Sequence, residues 1–179
     1  KVATVKSSQP IRRLAKALSS GRIRPLSPAP DLDERALDEL ANVVALAGAE
    51  QIASALATGA DIVLAGRTTD TATIAALPLQ RGAHPGAAWH GAKIAECGAL
   101  CSTMPTTGVV LVEVDDAGFT VTPMAEGARC TPHSVSAHML YENADPFILH
   151  EPGGYLDVSK AQYIALDETR VRVTGSHWV

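Results

Sequence analysis

A polar turn at residues 66–70 has the side chains that an anion-binding site requires. Its sequence is Gly-Arg-Thr-Thr-Asp, and it directly follows an apolar run at 62–65. If the run is a strand and Asp70 opens a helix, the turn lies where α/β proteins bind ligands, at a strand's carboxyl end beside free helix amides. A guanidinium there would clamp a carboxylate or phosphate, and two hydroxyl groups would add hydrogen bonds. The candidate substrate-binding residues are Arg67, Thr68 and Thr69.

The same turn also has a purely local interpretation. Asp70 would cap the following helix, and Arg67 would pair with a neighbouring acid. The chain contains no GxGxxG motif and no Walker lysine. A dinucleotide site or a P-loop is therefore not indicated.

Acidic and thiol side chains elsewhere in the chain could take part in proton transfer. Glu142 lies in a polar cluster at the predicted end of a helix, and Asp70 opens another helix, so either carboxyl group could act as an acid or a base. Ordinary surface acids in helix-terminal turns explain the same pattern. The candidate catalytic residues, which include an adjacent Glu-Cys pair expected to line the pocket, are Asp70, Glu96, Cys97 and Glu142.

Cys97 and Cys101 fall on one face of a predicted helix, where a thiol could act as a nucleophile or a metal ligand. Buried cysteines also serve simply as small apolar side chains. A C-x3-C spacing without a second pair is not that of a zinc site. A ligand set completed by Cys130 and His133 would require the fold to bring distant residues together. No metal and no separate cofactor are therefore expected.

Composition excludes several classes of protein. The chain has 179 residues, of which 46% are hydrophobic and 19% charged, which excludes a disordered chain or a coiled coil. A net charge of −4 gives the chain no overall positive charge that would attract nucleic acid. Apolar runs are shorter than the roughly 18 residues that a membrane span needs. Three cysteines, an odd number, and a start without a charged and then apolar leader predict free thiols and a cytoplasmic protein.

Residues 1–107 are predicted to form an α/β unit, with helices packed on a mostly parallel sheet. The main signal is an Ala-rich helix that ends at Gly59, then the apolar run at 62–65 and a further helix, an order typical of α/β folds. Because the run shows no polar alternation, it predicts a strand buried on both faces. The other predicted elements are a strand at 2–5, a helix at 11–18, a Pro-rich linker at 24–30, a helix capped by Asp31 or Asp33, a helix at 70–77 stopped by Pro78, and a helix at 87–102.

Residues 108–179 are predicted to form an α+β portion with a hairpin and short strands. The hairpin turn is Asp115-Asp-Ala-Gly118, with glycine at its end. Thr131 and Pro132 are a typical helix start, and that helix is predicted to end near Asn143. Because the chain opens in one predicted strand and stops just after another, we expect it to be a fragment of a longer polypeptide. Short strands are predicted at 155–158, 163–166 and 170–174.

Several short motifs, taken in order between residues 47 and 175, resemble the acyclic terpene utilisation (AtuA-like) family. The resemblance implies a place in the bacterial breakdown of branched acyclic terpenoids such as citronellol and geraniol, where intermediates are acyl-CoA thioesters. It assigns no catalytic residue. Family members carry a glycine-rich polar stretch after Glu-Cys-Gly, which this chain lacks, so a substrate other than a terpenoid stays open. The motifs are Gly59-Ala-Asp61 with Gly66-Arg67-x-x-Asp70, Glu96-Cys97-Gly98, Leu140-Tyr141-Glu142 with Asp145-Pro146, and Asp157 with Val171-Arg-Val-Thr-Gly175.

Two functional hypotheses follow, and the sequence leaves open whether the protein is an enzyme. The first is a catabolic enzyme, or part of one, that acts on a small branched carboxylate or acyl-CoA by proton transfer, as a hydratase, lyase or isomerase does. Arg67 would bind the anion, Asp70 and Glu142 would move protons, and CoA would enter only as part of the substrate. The second is a non-catalytic subunit or assembly module that binds a partner protein of the same pathway. Under either hypothesis, the protein is expected to be a homo-oligomer or a partner subunit.

Overall fold

The computed structural model describes residues 1–26, 28–29, 31–106 and 108–179. A parallel strand pair with helices comes first along the chain, and antiparallel sheets follow. This mixed arrangement confirms the predicted fold class. Ser27 and Pro30 of the predicted linker, and Thr107 at the predicted domain boundary, lie outside the described residues.

Local capping groups set where the helices of the first part begin. Asp33 caps the second helix, since its side chain accepts a hydrogen bond from the Ala36 amide at 2.7 Å. Thr69, not Asp70, caps the fourth helix, since its hydroxyl accepts from the Ala72 amide at 3.2 Å. The elements are β1 (Val2–Val5), α1 (Ile11–Ser19), α2 (Glu34–Asp38), α3 (Ala49–Leu56), β2 (Ile62–Ala65), α4 (Asp70–Gln80) and α5 (Pro85–Glu96).

α4 runs through Pro78, although the sequence predicted that it would stop there. Proline removes its own amide as a donor, and in the last turn of a helix little of the hydrogen-bond ladder remains to be lost. After Pro78, the amides of Arg81 and Ala83 both donate hydrogen bonds to the Pro78 carbonyl group, and the helix ends at Gln80, two residues after the proline. The prediction of a stop at Pro78 was therefore wrong.

α5 ends at Glu96, short of the predicted residue 102. Cys97 leaves the helical region at φ −128°, and a short 3-10 helix, Gly98–Cys101, follows it. Gly98 lies so close to the next strand that a Cβ atom there would sit 2.3 Å from a methyl group of Val110. The close approach needs glycine at this point, and the predicted single helix is two segments.

Within the described ranges, the β1–β2 pair is covered on one face only, so the prediction that β2 is buried on both faces was wrong. The strands are parallel, with Val2 opposite Ile62 and Thr4 opposite Leu64, and α3 packs against them. On the other face Val2, Ile62 and Leu64 are 57%, 55% and 58% exposed. An apolar run shows what a strand can bury, but coverage depends on neighbours that the run does not encode. We call Val2, Ile62 and Leu64 the open sheet face.

The second part consists of a short helix and two antiparallel sheets. The predicted hairpin is confirmed, with Val114 opposite Phe119 across the turn. Glycine is required at residue 118, because a Cβ atom there would lie 2.0 Å from the carbonyl oxygen of Val173. The elements are β3 (Val110–Val114), β4 (Gly118–Pro123), α6 (Pro132–Ala137), β5 (Ile148–Glu151), β6 (Gly154–Asp157), β7 (Gln162–Ala165), β8 (Val171–Thr174) and β9 (His177–Trp178). The sheet orders are β3-β4-β8-β7 and β5-β6-β9.

α6 starts as predicted but ends early. The side chains of Thr131 and Ser134 cap its first turn reciprocally. The helix then ends at Ala137, tightens into a 3-10 turn at His138–Leu140, and reaches Glu142 at a φ of 56°. Because Tyr141 is extended, with ψ 119°, and Glu142 is left-handed, neither residue is helical and the helix does not reach the predicted end near Asn143. The sequence also did not predict β5, which begins shortly afterwards.

α5 is the central element of the core. It packs against α4 on one side and against β3, β4 and β9 on others. Trp89 is 1% exposed and stacks on Trp178, with ring centroids 4.5 Å apart. Ile94 and Phe119 are fully buried nearby. Polar side chains on this helix are thus held in largely water-free surroundings.

His90 is the most deeply buried of the polar groups on α5. Its Nδ1 lies 2.7 Å from the hydroxyl oxygen of Ser176, and its Nε2 lies 3.3 Å from the phenol oxygen of Tyr163. Burial, helped by the nearby His138, lowers the pKa of His90 to about 3. The ring is therefore neutral at neutral pH.

We expect the free energy of unfolding to fall as the pH is lowered from about 6.5 to about 3, partly because of His90. In this window the unfolded chain binds a proton at residue 90 and the folded chain does not, so protonation favours unfolding. His90 alone would account for a loss of about 4 to 5 kcal/mol. Urea unfolding at several pH values, on the wild type and on His90→Asn, measures this contribution. An equally steep pH dependence in both proteins would contradict the assignment.

Candidate functional site

A buried ion pair on α5 forms the base of the candidate site. Lys93 and Glu96 are three residues apart on one helix face, their charged groups are in contact, and each side chain is 10% exposed. The second carboxylate oxygen of Glu96 accepts a hydrogen bond from the Thr71 hydroxyl on α4, at 2.5 Å. Lys93 is consequently held in place by a partner that is itself fixed from the neighbouring helix.

Glu151, at the end of β5, lies next to this pair. Its Oε2 atom is buried and has no hydrogen-bond partner among the described residues. Burial raises the pKa of Glu151, and the charge of Glu96 raises it further, whereas the hydroxyls of Thr69 and Thr71 and the charge of Lys93 oppose the change. Burial dominates, so this carboxyl group holds its proton more readily than an ordinary glutamic acid.

A cavity of about 450 Å³ opens onto Lys93 and Glu151. Ala144, Ile148 and Leu149 form an apolar part of its wall, and Glu142, Asn143, Asp145 and His150 form a polar part. The volume falls within the range of small-molecule sites. An ionisable acid, a cation and an apolar surface therefore meet at one opening.

His138 lies behind the ion pair, against the backbone of Lys93. It is 4% exposed, and its Nε2 atom has no hydrogen-bond partner among the described residues. Burial and the charge of Lys93 lower the pKa of His138, with Glu96 opposing. A neutral ring at this position adds no charge to the site.

Three of the sequence-predicted residues lie at or beside the cavity. Glu142 lines it, Glu96 anchors its lysine, and Cys97 follows directly. The carboxylate of Glu142 raises the pKa of Tyr141, with burial and Cys97 adding to the effect. The structure thus brings the 96–97 and 141–142 motifs, which are distant in sequence, to one place.

Of the polar turn at 66–70, only Thr69 lies near the cavity that contains Lys93 and Glu151. Thr69 lies beside Glu151 while it caps α4. The Thr68 hydroxyl is buried and donates to the carbonyl oxygen of Ala47, at 2.9 Å. Arg67 is exposed, and its guanidinium forms no ion pair within the described ranges. Asp70, the first residue of α4, is also exposed and does not line the cavity.

Sequence reasoning missed Lys93 and Glu151. Lys93 had a signal, because a lysine three residues before a glutamate on an otherwise apolar helix indicates a paired, buried charge. No comparable sequence pattern indicates Glu151, because the pairing of β5 with β6 is what brings this residue close to α5.

Two of the three cysteines, Cys101 and Cys130, belong to the hydrophobic core. All three are free, and Cys101 and Cys130 are buried. Contact with Cys130 and burial raise the pKa of the Cys101 thiol. In the part of the chain that the structure describes, no group of three or more His, Cys, Asp or Glu side chains could hold a metal ion.

Comparison with known proteins identifies the family. Among the described residues, no helix has the length and apolar character needed to cross a bilayer. A search of curated proteins and a search of solved structures each found no match. Residues 1–178 match the family model described as acyclic terpene utilisation family protein AtuA. The chain therefore belongs to the acyclic terpene utilisation family.

Proposed function

We propose that the cavity is an active site for proton transfer on a small branched acyl compound, in a catabolic reaction of the hydratase, lyase or isomerase type. The observation that carries this proposal is the Oε2 atom of Glu151, which is buried beside the Lys93–Glu96 pair and has no hydrogen-bond partner in the described part of the chain. A carboxyl group with a raised pKa is suited to act as a general base and then, once protonated, as an acid. Membership of the acyclic terpene utilisation family supports the proposal of a catabolic setting.

The proposed chemistry starts with a carbonyl compound in the cavity. Glu151 removes a proton from the carbon next to the carbonyl group, and the electron pair of that C–H bond moves onto the carbonyl oxygen. The Lys93 ammonium stabilises the resulting negative charge. Glu151 then returns the proton to carbon, which completes an isomerisation. In a substrate with a β-hydroxyl group, Glu151 instead passes the proton through Glu142 to that hydroxyl group, which leaves as water as the C–O bond breaks and the enolate electron pair forms the C=C bond. Glu96 positions Lys93 and takes no part in the transfer.

CoA would enter this site only as part of the substrate, and no separate cofactor is proposed. Arg67, exposed beside Thr68, is retained as a candidate for the anionic end of CoA. The free cysteines favour a reducing compartment, and we propose the cytoplasm.

Deuterium exchange tests the proposal without knowledge of the complete reaction. The probe is the N-acetylcysteamine thioester of 3-methylbutanoic acid in D2O, and NMR follows loss of the α-proton signal. We expect exchange well above the buffer rate, rising with pH through the raised pKa of Glu151 because the base must be ionised. Exchange no faster than in buffer would contradict the proposal.

A non-catalytic assembly module is the second candidate. The open sheet face favours it, because three large apolar side chains more than half exposed on one sheet are typical of a surface that binds another protein. The two functions are separated by combining the exchange experiment with light scattering. Absence of exchange together with a mass above that of the monomer would favour the module, as a homo-oligomer or partner subunit.

A further inference from the structure

The charges on the cavity wall are mainly negative. Glu142 and Asp145 face the opening together with Glu151, whose carboxyl group holds its proton more readily, whereas Lys93 is the one lysine or arginine among the described residues of this wall. Lys93 is already in contact with Glu96, so its charge is balanced before a ligand arrives. His150 is the remaining ionisable side chain of the wall. An anion that enters the cavity meets more carboxylates than free cations.

A carboxylate ligand would be disfavoured for two reasons. It would lose its hydration on entering, and the described residues of the wall offer no unpaired guanidinium or ammonium group to replace that hydration. It would also lie near like charges, and such juxtaposition lowers affinity strongly at a partly buried site. A neutral carbonyl group meets neither penalty, and its oxygen can still accept a hydrogen bond from the Lys93 ammonium.

The apolar part of the wall fits the rest of such a ligand. Leu149 is 8% exposed, and it lies with Ala144 and Ile148 on the same cavity. A short branched aliphatic group can cover these side chains while the carbonyl group points to Lys93. We propose that the substrate enters the cavity as an uncharged acyl derivative, an ester, thioester or amide, and that free carboxylates are excluded. This inference rests on the proposed function, because it concerns the substrate class of the same site.

Two ligands of equal size and branching, 3-methylbutanamide and 3-methylbutanoate, test the inference, since they differ in charge. Binding to the full chain is followed at neutral pH by NMR. We expect the amide to bind at least about tenfold more tightly than the carboxylate. Equal binding, tighter binding of the carboxylate, or binding of neither ligand would overturn the inference.

Asp145→Asn provides an independent check, and the discrimination between the two ligands should become smaller in this variant. Asparagine keeps the Oδ1 acceptor that receives the amides of Phe147 and Ile148, at 2.7 and 3.1 Å, so the turn is preserved. Asp116→Asn, in the exposed hairpin turn, is the matched control and should leave the discrimination unchanged. An unchanged ratio in Asp145→Asn would count against the inference.

The binding experiment tests the charge selectivity and the exchange experiment tests the proton-transfer function, so either proposal can be overturned without the other. If the amide is preferred but no thioester exchange occurs, the charge selectivity stands and the proton-transfer function falls. If exchange occurs but the carboxylate binds as well as the amide, the function stands and the selectivity falls.

Discussion

Glu151→Gln is expected to lower the rate of α-proton exchange by about 10²- to 10⁴-fold, the range for loss of a general base. Glutamine has nearly the same shape but cannot accept the proton. The measurement is the NMR exchange rate of the thioester in D2O, compared with Glu168→Gln, whose exposed side chain follows another strand of the second part. We expect the control to retain the wild-type rate. A Glu151→Gln rate within about threefold of wild type would remove Glu151 from the mechanism.

The same variant separates a functional role from a structural one. A carboxyl group whose pKa is raised in the folded state binds its proton more tightly there than in the unfolded chain. Its contribution favours folding at low pH and is lost as the pH rises through its unfolded and then its folded pKa. Glu151→Gln should therefore be as stable as wild type, or more stable, at neutral pH. A large loss of stability in urea unfolding would indicate a structural role instead.

Lys93→Met is expected to lower the free energy of unfolding by roughly 3 to 5 kcal/mol, as removal of one partner of a buried ion pair does. Glu96 would keep only its hydrogen bond from Thr71 to stabilise its buried charge. Urea unfolding followed by circular dichroism measures the loss.

Two further variants control this experiment. The double variant Lys93→Met/Glu96→Gln should recover much of the loss, because no unpaired charge remains. Arg35→Met breaks an exposed pair with Glu39, whose side chains are 88% and 71% exposed, and should cost less than about 1 kcal/mol. Similar small losses in Lys93→Met and Arg35→Met would show that the α5 pair is not important for stability.

The features that the sequence predicted correctly depend on short segments. The Asp33 cap, the Thr131 start of α6 and the hairpin that ends at Gly118 each depend on residues within one turn, and each is confirmed. The stop at Pro78 was wrong, because a proline near a helix end need not end it. The prediction that the strand at 62–65 is buried on both faces was also wrong, because burial depends on which other elements cover the strand.

The sequence predicted individual residues of the candidate site but not that they lie close together. Glu96 and Glu142 were singled out by type and by motif, but nothing local places them near each other. Their meeting depends on how α5 packs against the turn after α6, and on the unpredicted strand that carries Glu151. Arg67 looked important because of its position after a strand, yet it is exposed and does not line the cavity.

Trp89 and Trp178 are the only two tryptophans of the chain, and they form a single stacked pair. Indole fluorescence and its circular dichroism in the near ultraviolet consequently come from one location, where the end of the chain docks on α5. A change in either spectrum reports separation of β9 from that helix. The chain thus carries a built-in optical reporter for docking of β9 on α5, and no dye or added label is required to observe it.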